Sequence, residues 1–401
     1  MSLAPQVIAV YDQPHQFEPL LPALKIEELA VMARPVIESA LKLQGATNVH
    51  TRTELRALVR SMNSYYSNLI EGQSTHPVNI DRALKQDFSD KPDVAKKQRI
   101  ALAHIAAEQD LEAAQLTEQQ ALSSGCLAMA HRLLYGHLSP EDRTSDEGHL
   151  ITPGEVRQCD VIVHRHRPPS WQSVPAFLAR ADQTYSKQWG LDRLLVAVAA
   201  SHHRYAWVHP FVDGNGRACR LQLHAAMSTL TGGLWSVNRG LARNRDLYYV
   251  RLSEADMPRH GDLDGRGNLS EKMLFEWCAF FIQTCVDQVS FMASTLELDK
   301  LKERIAALVV IRGQTSPSEY KREAILALHH VLAVGPVSRG EFVQLTGLAE
   351  RTGRVVMSKL LKDGLLKSDT AKGEVRIGFP IDALNILLPN LYPEASTAVR
   401  D

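Results

Sequence analysis

Apolar positions along the chain recur mostly at helical spacing, and only two short stretches break the rule. From Leu24 to about Leu116, Ala, Leu, Glu and Lys dominate and polar breaks are brief, which predicts a helical N-terminal region over residues 1–117. In a middle region, residues 118–301, Leu191, Leu194, Leu195, Val198, His202 and Tyr205 mark the buried stripe of a helix that should end near His209-Pro210. A second helix should open at Asn215 or Gly216 and stop at Gly232-Gly233. Between Thr152 and Val163, bounded by Pro153-Gly154 and Pro168-Pro169, β-branched residues cluster and predict a small β-hairpin or flap.

The last region, 320–401, has a different grammar. Helices are expected over Arg322–Val334, Ser338–Leu348 (a Ser cap with Glu341 three residues on) and Ala349–Asp363, then two strands within Leu365–Phe379. Helix, helix, helix and hairpin describe a winged helix-turn-helix. Residues 302–319, with Gly313-Gln314-Thr315-Ser316-Pro317, read as the linker before it. The fold class is therefore all-α, with one flap in the middle and a winged unit at the C-terminus.

Composition narrows the function. The 401 residues carry 45 Lys plus Arg and 45 Asp plus Glu, so net charge points to no nucleic acid or membrane partner for the whole molecule. No stretch approaches the roughly 18 apolar residues that span a bilayer, and Met1–Tyr11 lacks a leader pattern, so a cytoplasmic location is expected. The five cysteines form no C-x-x-C pair and read as reduced, mostly buried residues. Cys219 lies between two arginines with no base assigned to it, which argues against a nucleophile.

The chemistry concentrates in His209-Pro210-Phe211-Val212-Asp213-Gly214-Asn215-Gly216-Arg217-Ala218-Cys219-Arg220. Gly214, Asn215 and Gly216 permit a tight bend where a helix begins, so unpaired amides point at one volume, as phosphate binding requires. Arg217 and Arg220 project from the same turn and suit a polyphosphate. Asp213 is a hard oxygen ligand for a phosphate-bound Mg²⁺, and His209 can accept a proton near neutrality. Singly, each has a bland explanation: a turn Asp, a helix-end His, solvated arginines. Together, in one unbroken string, they describe phosphoryl or nucleotidyl transfer.

The string His-x-Phe-x-Asp-Gly-Asn-Gly-Arg-x-x-Arg resembles the signature of Fic proteins, a family of AMP transferases, at every defined position. The resemblance implies a helical core with a β-flap, ATP and Mg²⁺ as cosubstrate and metal, and a protein Tyr, Thr or Ser hydroxyl as acceptor. It implies His209 as base, Asp213 as metal ligand, Gly214, Asn215, Gly216 and nearby amides on the α-phosphate, and Arg217 and Arg220 on the β and γ groups. It places the flap residues Gln158, Cys159, Asp160 and Val161 beside target and nucleotide, and Tyr249 at the adenine. Asp256 stands where relatives often have Asn. The segment Ser67-Asn68-Leu69-Ile70-Glu71-Gly72 is similar to the family's inhibitory motif, which implies that Glu71 pairs with Arg220; in some relatives that glutamate activates water to remove AMP.

Two alternatives stay open. Between Arg322 and Pro380, nine Lys or Arg face six Asp or Glu, with Arg351, Arg354, Lys359 and Lys362 on the candidate recognition helix and Lys367, Lys372 and Arg376 near the hairpin. Duplex DNA and protein contact, including a homodimer, are both compatible with that. A nucleotide-sensing DNA-binding regulator is the runner-up to an enzyme, and transfer of another phosphate-linked group is a third reading.

Overall fold

A computed structural model of the chain describes residues 10–144, 148–163 and 166–393; the outermost parts of the N- and C-terminal regions delimited above, 1–9 and 394–401, lie outside them. The N-terminal region is helical: α1 (Ile26–Ala46), α2 (Val49–Ile70), α3 (Pro77–Leu84) and α4 (Pro92–Ala113). The middle holds α5 (Glu118–Ala121), α6 (Ser124–Gly136), α7 (Val174–Tyr185), α8 (Leu191–Val208), α9 (Asn215–Ala226), α10 (Ser228–Thr231), α11 (Asn238–Arg243), α12 (Arg245–Ala255) and α13 (Glu271–Thr295). Then come α14 (Leu298–Thr315), α15 (Ala324–Val334), α16 (Arg339–Leu345), α17 (Glu350–Lys362), strands β1 (Leu366–Lys367) and β2 (Arg376–Ile377), and α18 (Leu384–Leu387).

Helix α8 is the axis of the bundle. From Leu194 to Val208 nearly every side chain is buried, as expected of a helix with neighbours on all sides. It packs on α1, α7, α9 and α13, while α9 also meets α6 and α4, and α2 lies on α4 and α11. The N-terminal region is thus part of the same core, because α1 supplies Leu29, Ala33, Val36 and Ala40 to it.

Helix boundaries follow the caps. Ser338 accepts a hydrogen bond from Glu341 N at 3.2 Å and opens α16. Gly232 and Gly233, both at positive φ, end the run of α9 and α10.

Two expectations differ from the structure. The stretch read as a linker is helical through Thr315, because Leu301, Ile305, Leu308 and Val309 form a buried stripe on α14 and a lone Gly313 does not break it. Between Val156 and Val163 no strand ladder forms; the pairing there is one antiparallel bridge, Val163 to His166. The reason is Arg157, whose guanidinium takes the carbonyls of Cys159 (2.8 Å), His209 (2.9 Å) and Pro169 (2.5 Å), so the segment is fixed by a side chain rather than by a partner strand. Among the described residues the paired strands are β1 and β2, antiparallel with Leu366 opposite Ile377 and Lys367 opposite Arg376. They follow α15, α16 and α17 in the expected order.

Candidate active site at the start of helix α9

The loop between α8 and α9 is built by its own sequence. His209 ends α8 in the left-handed conformation (φ 50°, ψ 61°), and Pro210 cannot continue the helix. Gly214, at φ 78°, turns the chain into α9; a side chain there would meet Tyr135 at 2.4 Å. Asn215 closes the loop: its Oδ1 accepts from Phe211 N and its Nδ2 donates to Phe211 O, both at 2.9 Å. The Asn215 side chain is therefore turned into the loop rather than toward a ligand, and what it offers at the helix start is its backbone amide. The first amides of α9 precede any helical carbonyl they could reach, so they and the helix dipole favour an anion.

Around this start stand the charged groups. Asp213 accepts Gly214 N at 2.5 Å on Oδ1, while Oδ2 lies 3.9 Å from Arg217 and the side chain is 42% exposed. Arg217 is buried and donates to Tyr135 Oη (2.8 Å) and Gln73 Oε1 (3.0 Å). Arg220, also buried, donates to Ser67 Oγ (2.9 Å), Ser67 O (3.0 Å) and Glu71 Oε1 (2.5 Å). Burial alone would raise the Glu71 carboxyl, but Arg220, Arg217 and Arg245 together hold it below its ordinary value. Burial likewise works against charge on Arg220, and Glu71 outweighs it, so its pKa is raised.

Glu71 arrives at the end of α2. The helix closes on Glu71, and Gly72 at φ 74° turns the chain away, with Gln73 N bonded to Asn68 O at 2.9 Å. A carboxylate at a helix C-terminus opposes the dipole, and here the cation that offsets this comes from α9. Gly216 makes room for it: a Cβ there would sit 2.4 Å from Glu71 Oε1. Tyr249 Oη and Arg245 Nε donate to Ile70 O at 3.1 and 2.8 Å, so α12 holds the same helix end.

The His209 imidazole is pushed down to about 4, first by burial and then by His166 and Arg157. It is neutral at pH 7, and with the Ala206 carbonyl able to take one ring N–H, the other nitrogen is left as an acceptor. Gln158, Cys159 and Asp160 are exposed and Val161 half-buried, held beside His209 by Arg157 and by Arg157 N to Pro210 O at 2.8 Å. Asp256 pairs with His203 at 3.0 Å. Cys219 is buried and its thiol pushed up to about 12, so it is no thiolate.

The expected residues of the string, with Ser67, Glu71 and Tyr249, thus meet around one helix start, and the flap lies beside His209. Sequence reading missed Tyr135, Gln73, Arg157 and Arg245, and also His131, whose ring stacks on Phe211 (centroids 3.9 Å apart) and whose Nε2 lies 3.1 Å from Asp213 O. Only Arg157 left a trace, as a charged residue inside the β-branched flap run. Chemically, two buried guanidiniums, helix-start amides, an open carboxylate and a neutral imidazole can hold a polyphosphate and move one proton.

Comparison with known proteins agrees with this geometry. Residues 122–227 match the Fic/DOC family model. Protein adenylyltransferase Fic of Nematostella vectensis is 26% identical over 201 residues, 50% of this chain and 43% of that protein. Protein adenylyltransferase Fic of Drosophila virilis is 31% identical over 98 residues, 24% of this chain and 18% of that protein. The chain therefore spans less than half the length of these curated relatives. Among solved structures, Fic-1 (aa134 - 508) from C. elegans aligns with a TM-score of 0.50 at 16% identity, covering 68% of this chain and 73% of that one, a likeness of fold. The matched segment, residues 122–227, encloses the whole of His209 to Arg220, so the candidate site lies within the part of the chain that is similar to the Fic/DOC family.

Proposed function

We propose that the chain transfers AMP from ATP to a Tyr, Thr or Ser hydroxyl of a protein, itself included, and that Glu71 restrains it. The observation that carries this is the meeting of Glu71 with Arg220 at the start of α9, where a carboxylate occupies a cation that the string supplies for phosphate. The relatives' name, protein adenylyltransferase, supports the same reading.

In the reaction, the target oxygen attacks the α-phosphorus, the bond from that phosphorus to the bridging oxygen breaks, and pyrophosphate leaves. His209 takes the hydroxyl proton on its free ring nitrogen. The amides of α9 face the α-phosphate oxygens, and Arg217 and Arg220 bind the β and γ groups. Asp213 fits Mg²⁺, since its Oδ2 is a hard oxygen open to solvent and 3.9 Å from the nearest guanidinium. A bound Mg²⁺ would neutralise charge on the phosphates. Tyr249 borders the adenine, and the exposed segment Gln158–Val161 is where the target chain lies.

With Glu71 in place, Arg220 is unavailable and a γ-phosphate would meet a carboxylate. The test is incubation of wild type, Glu71→Gly and Glu71→Gly/His209→Ala with ATP labelled at the α-phosphate, followed by mass spectrometry. Added AMP should appear with Glu71→Gly and vanish in the double variant. Label that persists without His209 would end this reading.

A second reading concerns the C-terminal unit. Arg351 and Arg354 are exposed on α17 and, with Val355 and Ser358, line a shallow surface cavity, which suits duplex DNA held by phosphate contacts. Glu350, 2.5 Å from Arg354, offsets part of that charge. Binding of duplex DNA that weakens steeply with salt would support it; no binding at low salt leaves protein contact.

A further inference from the structure

Helix α2 reaches the site with one end only, and its other end lies on the C-terminal unit. Asn48 Nδ2 donates to Ala333 O (3.2 Å) and Val334 O (3.0 Å), and Thr51 Oγ1 to Leu332 O (3.0 Å), so α2 begins by satisfying the last carbonyls of α15. One turn on, Glu54 is buried, and its two oxygens receive Lys367 Nζ and Arg376 Nε, each at 2.7 Å. These two cations are cross-strand partners on β1 and β2. Farther along, Tyr66 Oη donates to Leu391 O at 3.0 Å and its ring stacks on Tyr392.

The arrangement is reciprocal. A buried carboxylate stripped of its partners is strongly unfavourable, so the start of α2 and the hairpin hold each other in place. Glu54 and Glu71 are 17 residues apart, which in a helix is about 25 Å along one rigid element. A shift at the Glu54 end is therefore carried to the carboxylate that meets Arg220. The middle of α2 is also tied to the core, by Arg56 Nε to Gly232 O at 2.9 Å and Ser64 Oγ to Ala101 O at 2.8 Å. Arg60 also pairs with Glu112 at 2.6 Å and Asn63 donates to both Glu108 oxygens, but these contacts run to α4, whereas Glu54 is the buried charge of α2 that pairs with the C-terminal hairpin.

We propose that Glu54 is a positioning residue for Glu71: its ion pairs to Lys367 and Arg376 hold α2 in the register at which Glu71 occupies Arg220, which makes the C-terminal hairpin part of the restraint. This rests on the reading of Glu71 given above.

The experiment uses the full chain and two readouts: AMP incorporation from α-labelled ATP, and hydrogen exchange of the amides from Leu69 to Gln73. Glu54→Lys should raise incorporation about five- to tenfold and speed that exchange. The triple variant Glu54→Lys, Lys367→Glu, Arg376→Glu, which swaps the charges, should return both to wild-type values, and Glu54→Lys should add nothing to Glu71→Gly. If Glu54→Lys does not fold, Glu54→Gln takes its place with the same expectation. An active Glu71→Gly beside a Glu54 variant that matches wild type in both readouts would overturn the coupling alone, leaving the core bonds as sufficient. An inactive Glu71→Gly would overturn the restraint and, with it, this assignment of Glu54.

Discussion

The two ends of α9 carry opposite imbalances of charge. At its start, Arg217, Arg220 and Arg245 surround Glu71 and Asp213, so cations are in surplus. Near its far end, Glu108 and Glu112 of α4 face His224, at 3.4 and 3.5 Å from Nε2, with Arg60 2.6 Å from Glu112 and Asn63 donating to both Glu108 oxygens. There carboxylates match the cations and each has a partner. Both places are buried networks on one helix, but one has two guanidiniums gathered at a helix start with a single carboxylate seated between them and a prospective anion. The other balances its charges within the network, although Glu112 and His224 also line a surface cavity. The lesson is that burial and perturbed titration do not by themselves mark a site; unspent charge of one sign does.

The sharpest way to break the comparison is at the imidazole. Replacing His209 by Ala in the Glu71→Gly background should lower the rate of AMP transfer by about 10²- to 10⁴-fold, measured by single-turnover labelling, with ATP affinity retained. Next, Glu71→Gly should raise incorporation by about 10- to 100-fold over wild type and tighten ATP binding by calorimetry, since it frees Arg220. Equal affinities would show that the surplus is not what binds phosphate.

The pH profile gives a third measure. A base must be unprotonated, so transfer by Glu71→Gly should fall only as pH drops through the His209 value; with that value near 4, the protein before nucleotide binds should keep its activity well below pH 6. A decline in kcat/KM centred at 6.5 would show an ordinary, exposed imidazole.

The smallest effect belongs to the far end of α9. Burial raises Glu108 to about 7, and Glu108 and Glu112 outweigh burial to raise His224. For the acid, the folded state keeps a proton that the unfolded chain releases above its ordinary pKa, and for the imidazole the stabilisation fades as pH passes its folded value. Both lower stability as pH rises from 5 to 8. Thermal melting should drop by about 2–4 °C over that range, and Glu108→Gln should flatten the trend without altering AMP transfer.

How legible this was from sequence depended on whether the interacting groups were neighbours in the chain. The stop at His209, the turn at Gly214 and the start of α9 follow from residues that are adjacent, so local chemistry predicts them. The flap's strand pairing was misread because its fixing group, Arg157, acts on carbonyls 12 and 52 residues away. The linker was misread because one Gly and a Ser-Pro pair outweighed a buried stripe that only the neighbouring helices α15 and α18 make visible. Asn215 looked like a ligand group and proved a loop brace, since residue type fixes what a side chain can bond but not which way it faces. Tyr135, and the pairing of Glu54 with a hairpin 313 and 322 residues on, had no local signal at all.

The brace that Asn215 forms across Phe211 has one more consequence. It shapes the turn with bonds internal to the chain, so the loop that follows His209 and contains Asp213 is set without any bound nucleotide. On the function proposed above, nucleotide binding need not spend free energy on ordering that turn.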